Sequence, residues 1–272
     1  MSTLIHPSDC RNSDQLLRVT DSELLPLRDE LYNINKPGYI ILRNYISPAQ
    51  VAHLQQFWQK TPPDRGYFDT HPVEPKVFKQ RPFAFFGQRR TCYHNYLWNP
   101  ALDELSHTLC FEIALLRNRL QEKPSYFNLA PNGKRLASYR VIVSGTYKEG
   151  DIEVEPHQDF SEEQYIIGEP DSQKYLQATL FLSERGVDYT GNGFHFTTNQ
   201  GEKIYPGRDL DIKPGDLMIW RYINWHGVDG TQALHDGVGF LRMIYPHEDV
   251  VLNEVRIEKP SLLKKWFQNV SK

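Results

Sequence analysis

His157 and Asp159, in His157-Gln158-Asp159, place an imidazole and a carboxylate two residues apart. On an extended backbone, positions i and i+2 project to one face, so this pair offers two converging ligands to a single cation. A third candidate is His226, in Trp225-His226-Gly227, far downstream and just past the apolar run Asp216-Leu217-Met218-Ile219-Trp220. Two imidazoles and one carboxylate on one face of a ferrous ion leave three coordination positions for other ligands. Short triplets of this kind also arise with no metal to bind, and a histidine after a strand is often only a surface or core residue. The elements that carry the three residues must therefore decide between the two readings.

The chain has 272 residues with ordinary apolar and charged fractions, enough to bury a substantial core. A formal net charge of −3 provides no basic field for nucleic acid or an anionic membrane surface, so neither partner is expected. Cys10, Cys92 and Cys110 are scattered and odd in number, which suggests neither a disulfide framework nor a paired zinc site and points to a reducing compartment. Residues 1–15 have no apolar core of signal-peptide length, and no run of about eighteen apolar residues would span a bilayer. A cytoplasmic protein with a small-molecule substrate is expected, and the oligomeric state is left open.

The first 134 residues read as a helical part. From Pro26, the residues Leu27, Leu31 and Ile34 recur at near-helical spacing, with proline in the first turn. Tyr39-Ile40-Ile41-Leu42 is a short β-prone run, and Ser47-Pro48-Ala49-Gln50 combines an N-cap hydroxyl, a first-turn proline and a capping glutamine before Val51, Leu54 and Trp58. Residues 61–98 are rich in proline and aromatic residues and break every regular pattern, as expected of a lid over a site or of an insertion packed on the core. After Asn99-Pro100, the residues Leu102, Leu105, Leu109, Ile113, Leu116 and Leu120 mark a long amphipathic helix.

Beyond Lys134 the pattern becomes that of strands, over residues 137–143, 175–182, 193–197, 216–220 and 237–245. Strands joined by turns with no helical pattern between them predict an antiparallel sandwich or barrel over 135–250, with 251–272 as an extension bearing a short basic helix. The fold class is mainly β with flanking helices. In the second strand Leu176, Ala178, Leu180 and Leu182 face one way, and Tyr175, Gln177 and Thr179 face the other, where they would line a polar cavity.

The order H-Q-D, a P-G-D turn into an apolar strand, W-H-G and then Arg242 in Phe240-Leu241-Arg242-Met243 resembles the Fe(II)- and 2-oxoglutarate-dependent oxygenases. With Gly38-Tyr39-Ile40-Ile41-Leu42-Arg43-Asn44-Tyr45-Ile46-Ser47 ahead of a capped helix, it is similar to the branch that includes phytanoyl-CoA dioxygenase. The resemblance spans roughly residues 36–248. It implies a double-stranded β-helix, a distorted jelly roll of cupin type. It also implies Fe(II) on His157, Asp159 and His226, with 2-oxoglutarate and O₂ as cosubstrates.

The resemblance further implies that Arg242 anchors the far carboxylate of the keto acid. A guanidinium suits that task because its planar fork bonds both oxygens at once. Tyr139, Gln177, Thr179 and Asn192 are candidates for the wall around the keto acid. The implied reaction is hydroxylation of an unactivated C–H bond in a small polar metabolite such as an amino acid, a sugar acid or a natural-product intermediate. Desaturation, epimerisation and ring formation use the same ligands. A carboxylate at position 159 argues against halogenation, since the halogenating relatives carry a small residue there.

One departure from the family pattern is the long interval from His226 to Arg242, which an extended hairpin through Gly227–Asp236 would absorb; otherwise Arg221 or Arg140 becomes the rival anchor. Arg89, Arg90 and His94, in the aromatic connection, would either meet an anionic group or face solvent, as two adjacent arginines more often do. Two readings from other classes stand beside this one: a cupin-like metalloenzyme that uses no keto acid, and a jelly-roll sugar-binding module with no catalysis.

Overall fold

The side-chain alternation at Leu176–Leu182 becomes the boundary between two cores in the computed structural model. The structure describes residues 20–60, 72–73, 77–78, 83–84, 90–97, 101–125, 127, 129, 135–148, 150–159, 174–246 and 249–250. Its first elements are α1 (Asp21–Tyr32), β1 (Tyr39–Leu42), α2 (Pro48–Lys60), β2 (Pro72–Val73), β3 (Val77–Phe78), β4 (Phe83–Ala84), β5 (Arg90–Tyr96) and α3 (Glu104–Leu120). There follow β6 (Arg135–Leu136), β7 (Ser138–Ser144), β8 (Ile152–His157), β9 (Leu176–Phe181), β10 (Tyr189–Gly191), β11 (Phe194–Thr197) and β12 (Lys203–Ile204). The chain continues with α4 (Pro206–Asp209), β13 (Leu217–Arg221), β14 (His226–Asp229), β15 (Thr231–Ala233), β16 (Phe240–Tyr245) and β17 (Asp249–Val250).

Among the described residues, the larger sheet runs β1-β13-β9-β16-β7-β5-β4 and the smaller one β12-β11-β14-β8, with antiparallel pairing throughout both. Leu176, Ala178 and Leu180 of β9 join Leu217 and Ile219 of β13 and Leu241 and Met243 of β16 in a core shared with α1, α2 and α3. Their neighbours in alternation, Phe181, Met218, Trp220 and Phe240, pack against Phe194, Phe196, Ile204 and Val228 of the smaller sheet. The larger sheet is thus covered by helices on one face and by the second sheet on the other. This mainly β, jelly-roll architecture with flanking helices is the expected fold class.

The P-G-D turn ties the amino-terminal strand to this frame. Gly215 has φ of +98°, and a Cβ there would lie 2.8 Å from the Ile46 carbonyl oxygen, so glycine is required. Asp216, 1% exposed, accepts from Arg43 Nη1 at 2.7 Å, from the Asn44 amide at 2.9 Å and from the Lys213 amide at 2.9 Å.

Several expectations need correction. The first helix starts at Asp21 under a Thr20–Glu23 capping box, which nucleates it ahead of Pro26, so the proline lies inside the helix on its exposed side. Ile34 and Leu102 fall outside their helices, 71% and 49% exposed, while Leu109, Ile113, Leu116 and Leu120 are buried as the periodicity requires. Residues 90–96 of the aromatic connection form β5, paired residue by residue with β7, because a seven-residue strand there completes the sheet beside β7. Apart from β5 and Leu97, only the short strands β2, β3 and β4 of that connection are described; a lid over the rest, residues 1–19 and the short basic helix expected within 251–272 lie outside the described residues.

The long interval after His226 is not a hairpin closing on itself. Its second half, β15, pairs with β10, and the turn that returns to β16 is held by the Leu234 amide donating to the Asp188 carbonyl.

Asp216→Ala would strip two backbone amides and Arg43 of a buried acceptor. The expected destabilisation is roughly 3 kcal/mol, from the cost of leaving such donors unpaired. Urea unfolding monitored by tryptophan fluorescence measures it.

Candidate metal centre

β8 and β14 are neighbours in the smaller sheet, and their register sets His157 directly opposite His226. The ring centroids lie 4.3 Å apart. Asp159 follows the end of β8, and its carboxylate reaches between the imidazoles, Oδ1 at 3.5 Å from His157 Nε2 and Oδ2 at 3.3 Å from His226 Nε2. One ligand atom from each of the three residues lies within 4.8 Å of the other two.

The far side of each ring is occupied by backbone. His157 Nδ1 lies 2.7 Å from the Glu155 carbonyl oxygen and His226 Nδ1 lies 3.0 Å from that of Asn224. A carbonyl can only accept, so each Nδ1 carries a proton and each Nε2 is directed at Asp159, where a divalent ion would take the place of a second proton. This is the tautomer a metal ligand needs, and it is why the residues fit a divalent ion.

The surroundings hold these groups still. The Trp220 ring stands 4.5 Å from the His226 ring and the Phe194 ring 6.4 Å from it. Gln158 Nε2 donates to the Ile223 carbonyl at 2.6 Å, tying the segment after β8 to the segment before β14. Gly227, the last letter of W-H-G, has a steric cause: a Cβ there would lie 2.8 Å from the Val154 carbonyl oxygen and 2.9 Å from His195 Nε2. His195 is the buried histidine that sequence reasoning passed over. It pairs with Gly227 through the backbone, and burial pushes its pKa down to about 4, so it is a neutral support behind β14.

Burial alone would raise the Asp159 pKa, but the hydrogen bonds to His157 and His226 outweigh it and hold the carboxyl well below its usual range. The bond to Asp159 raises His157 against the opposing effect of burial. Both imidazoles thus share one carboxylate.

Arg242 lies on β16 between Leu241 and Met243, which face the helices. It therefore points into the space between the sheets, with its guanidinium 4.3 Å over the Phe240 ring. It is 1% exposed. Gln177 and Thr179 share the corresponding face of β9 and are buried, and Asn192 is half-buried in the connection between β10 and β11.

Tyr139 is not brought to this side. It packs with Trp58 and His107 against the helices and accepts from Asn95 Nδ2 at 3.3 Å, because alternation on β7 turns its neighbour Arg140 inward instead. Of the rival anchors, Arg221 shares the helix-facing register of Leu217 and Ile219 and donates to Asn199 at 3.1 Å. Arg140 lies opposite Ile244 on the Arg242 side. Arg90 and His94 are positions of β5, and Arg89 lies outside the described residues.

No protein-family model matches the chain, and no curated protein matches it in sequence. Solved structures do. A full-length Neurospora crassa protein in complex with alpha-KG and 5-formyluracil aligns over 90% of this chain and 84% of its own, with a TM-score of 0.53 at 11% identity. The same protein with alpha-KG alone covers 90% and 84% with a TM-score of 0.50 at 11% identity, and with alpha-KG and thymine 88% and 85%, again 0.50 and 11%. The chain has the fold of this Neurospora crassa protein, which binds alpha-KG. At this identity the likeness is one of fold, and the chemistry rests on the residues above. Among the described residues, no helix is long and apolar enough to cross a membrane.

Replacing His157, Asp159 or His226 singly by alanine is expected to weaken Mn(II) or Fe(II) binding more than about a hundredfold, beyond the loss usual for a residue that only supports a ligand. Anaerobic calorimetry measures it, and far-ultraviolet circular dichroism should stay unchanged.

Proposed function

We propose that this chain is an Fe(II)- and 2-oxoglutarate-dependent dioxygenase that hydroxylates an unactivated C–H bond of a small polar metabolite. The observation that carries this reading is the pair of imidazoles locked by their Nδ1 protons so that both Nε2 atoms meet the Asp159 carboxylate. Three protein ligands from two adjacent strands suit ferrous iron and leave room for a bidentate keto acid and for O₂. When bound, these groups supply the oxidising chemistry: 2-oxoglutarate and O₂ give succinate and CO₂, and the remaining oxygen atom enters the substrate C–H bond.

The residues of the chain bind and orient. His157, Asp159 and His226 would hold the metal on one side, leaving the other to the keto acid and substrate. Arg242, facing the same inter-sheet space, would take the distal carboxylate of the keto acid through its fork. Gln177 and Thr179 offer polar atoms on the wall between them, and Phe194, Trp220 and Val228 exclude water from behind the ligands.

A second reading has one observation in its favour. Glu153 already gives Arg242 an internal counterion at 3.3 Å, as expected if the arginine were structural and the protein a metalloenzyme that uses no keto acid.

Succinate formation by the anaerobically Fe(II)-loaded protein on admission of O₂ and 2-oxoglutarate decides between the two. Arg242→Gln should weaken 2-oxoglutarate by roughly two decades or more, about 3 kcal/mol for removing one partner of a buried pair. Metal affinity should stay within about threefold, below roughly 0.7 kcal/mol. Calorimetry of the Mn(II)-loaded proteins reads both.

A further inference from the structure

The Arg242 guanidinium is not an open fork. Glu153 stands beside it on β8, four positions before the metal ligand His157, and neither side chain has more than 1% exposure. Glu153 Oε1 lies 3.3 Å from Arg242 Nη2 and accepts a 2.8 Å hydrogen bond from Ser144 Oγ. Ser144 Oγ in turn lies 3.4 Å from Arg242 Nη1. A carboxylate from β8, a hydroxyl from β7 and a guanidinium from β16 thus form one buried group above the Phe240 ring. The guanidinium and the carboxylate are each other's nearest opposite charge in that buried place. A second carboxylate brought to the same guanidinium would meet Glu153 at close range in a poorly screened place, where like charges disfavour each other by more than a decade of affinity.

We propose that Glu153 is a specificity-determining residue, an internal competitor for Arg242 that the distal carboxylate of the keto acid must displace. This rests on the reading of Arg242 as the carboxylate anchor. A dicarboxylate keto acid exchanges one ion pair for another, and Glu153 gives up both Arg242 and the hydrogen bond from Ser144 Oγ that holds it there. A keto acid with an apolar tail has nothing to offer the guanidinium, so Arg242 stays with Glu153. The pair therefore sets the affinity for the dicarboxylate and leaves that of a monocarboxylate untouched. It also keeps the arginine neutralised before the keto acid arrives, which an anchor without a counterion would not be.

The test is calorimetric titration of 2-oxoglutarate and of 2-oxobutyrate into the Mn(II)-loaded full chain, as wild type, Glu153→Gln and Ser144→Ala. Glu153→Gln should tighten 2-oxoglutarate by roughly ten- to a hundredfold, about 1.4–2.7 kcal/mol, while 2-oxobutyrate stays within about threefold. Ser144→Ala, which frees Oε1 and keeps both charges, should tighten 2-oxoglutarate by a smaller factor, and it decides the matter if Glu153→Gln does not fold. A wild type that binds 2-oxoglutarate, with variants that bind it equally or more weakly, overturns the proposal and makes the ion pair structural. Equal tightening of both keto acids overturns it as well, since a general loosening would then be the cause. If no form binds 2-oxoglutarate although each binds Mn(II), the cosubstrate assignment itself fails and the proposal falls with it. Binding by Glu153→Gln where the wild type shows none is its strongest support.

Discussion

A slip of β14 against β8 by one residue would turn the His226 imidazole to the opposite face of the smaller sheet and leave His157 and Asp159 without a third ligand. The register that prevents it rests on several local constraints acting together. Phe194 and Val228 are opposite each other in the inter-sheet core, Gly227 leaves room for the Val154 carbonyl and for His195, and Gln158 clips the two loops. Two backbone carbonyls then settle which nitrogen of each ring faces inward. The candidate metal site is thus a property of strand pairing as much as of residue identity.

The second constraint is the division of the larger sheet into two faces. Its helix-facing side is wholly apolar near the centre, where Leu176, Ala178, Leu217, Leu241 and Met243 meet the helices. The other side carries Gln177, Thr179 and Arg242 amid aromatic residues, a composition that would be costly if it were only core. Burying polar groups there is tolerable because they meet one another: Arg242 with Glu153 and Ser144, and the two histidines with Asp159.

Much of this was legible in the chain. The same-face geometry of His157 and Asp159, the capping at Ser47 and Gln50, the alternation in β9 and the P-G-D turn all depend on local covalent geometry, which a short window of sequence contains. The faces of Gln177 and Thr179 followed from the period of two alone. Where local reading failed, a nonlocal partner had usually decided: the pairing of β5 with β7 drew an irregular-looking aromatic run into the sheet, and β10 captured β15 from the expected hairpin. The helix start ahead of Pro26 is the exception, since the Thr20–Glu23 capping box that sets it is itself local.

Tyr139 shows the same limit within one strand. Its residue type suits a cavity wall, but the phase of β7 sends it into the helix-side core and Arg140 to the other face, and that phase is set by the neighbouring strands β5 and β16. Glu153 is the counterpart: nothing near it in sequence marks it, because its partner Arg242 and its donor Ser144 come from two other strands. The sequence by itself determined the candidate ligand set, the β-rich fold class and the inward face of each well-patterned strand, since these follow from residue type and a period of two. Only the tertiary structure decided which nitrogen of each imidazole faces the site, that Arg242 and not Arg221 lies on the inter-sheet face, and which carboxylate Arg242 already holds, because those depend on register between strands far apart in the chain.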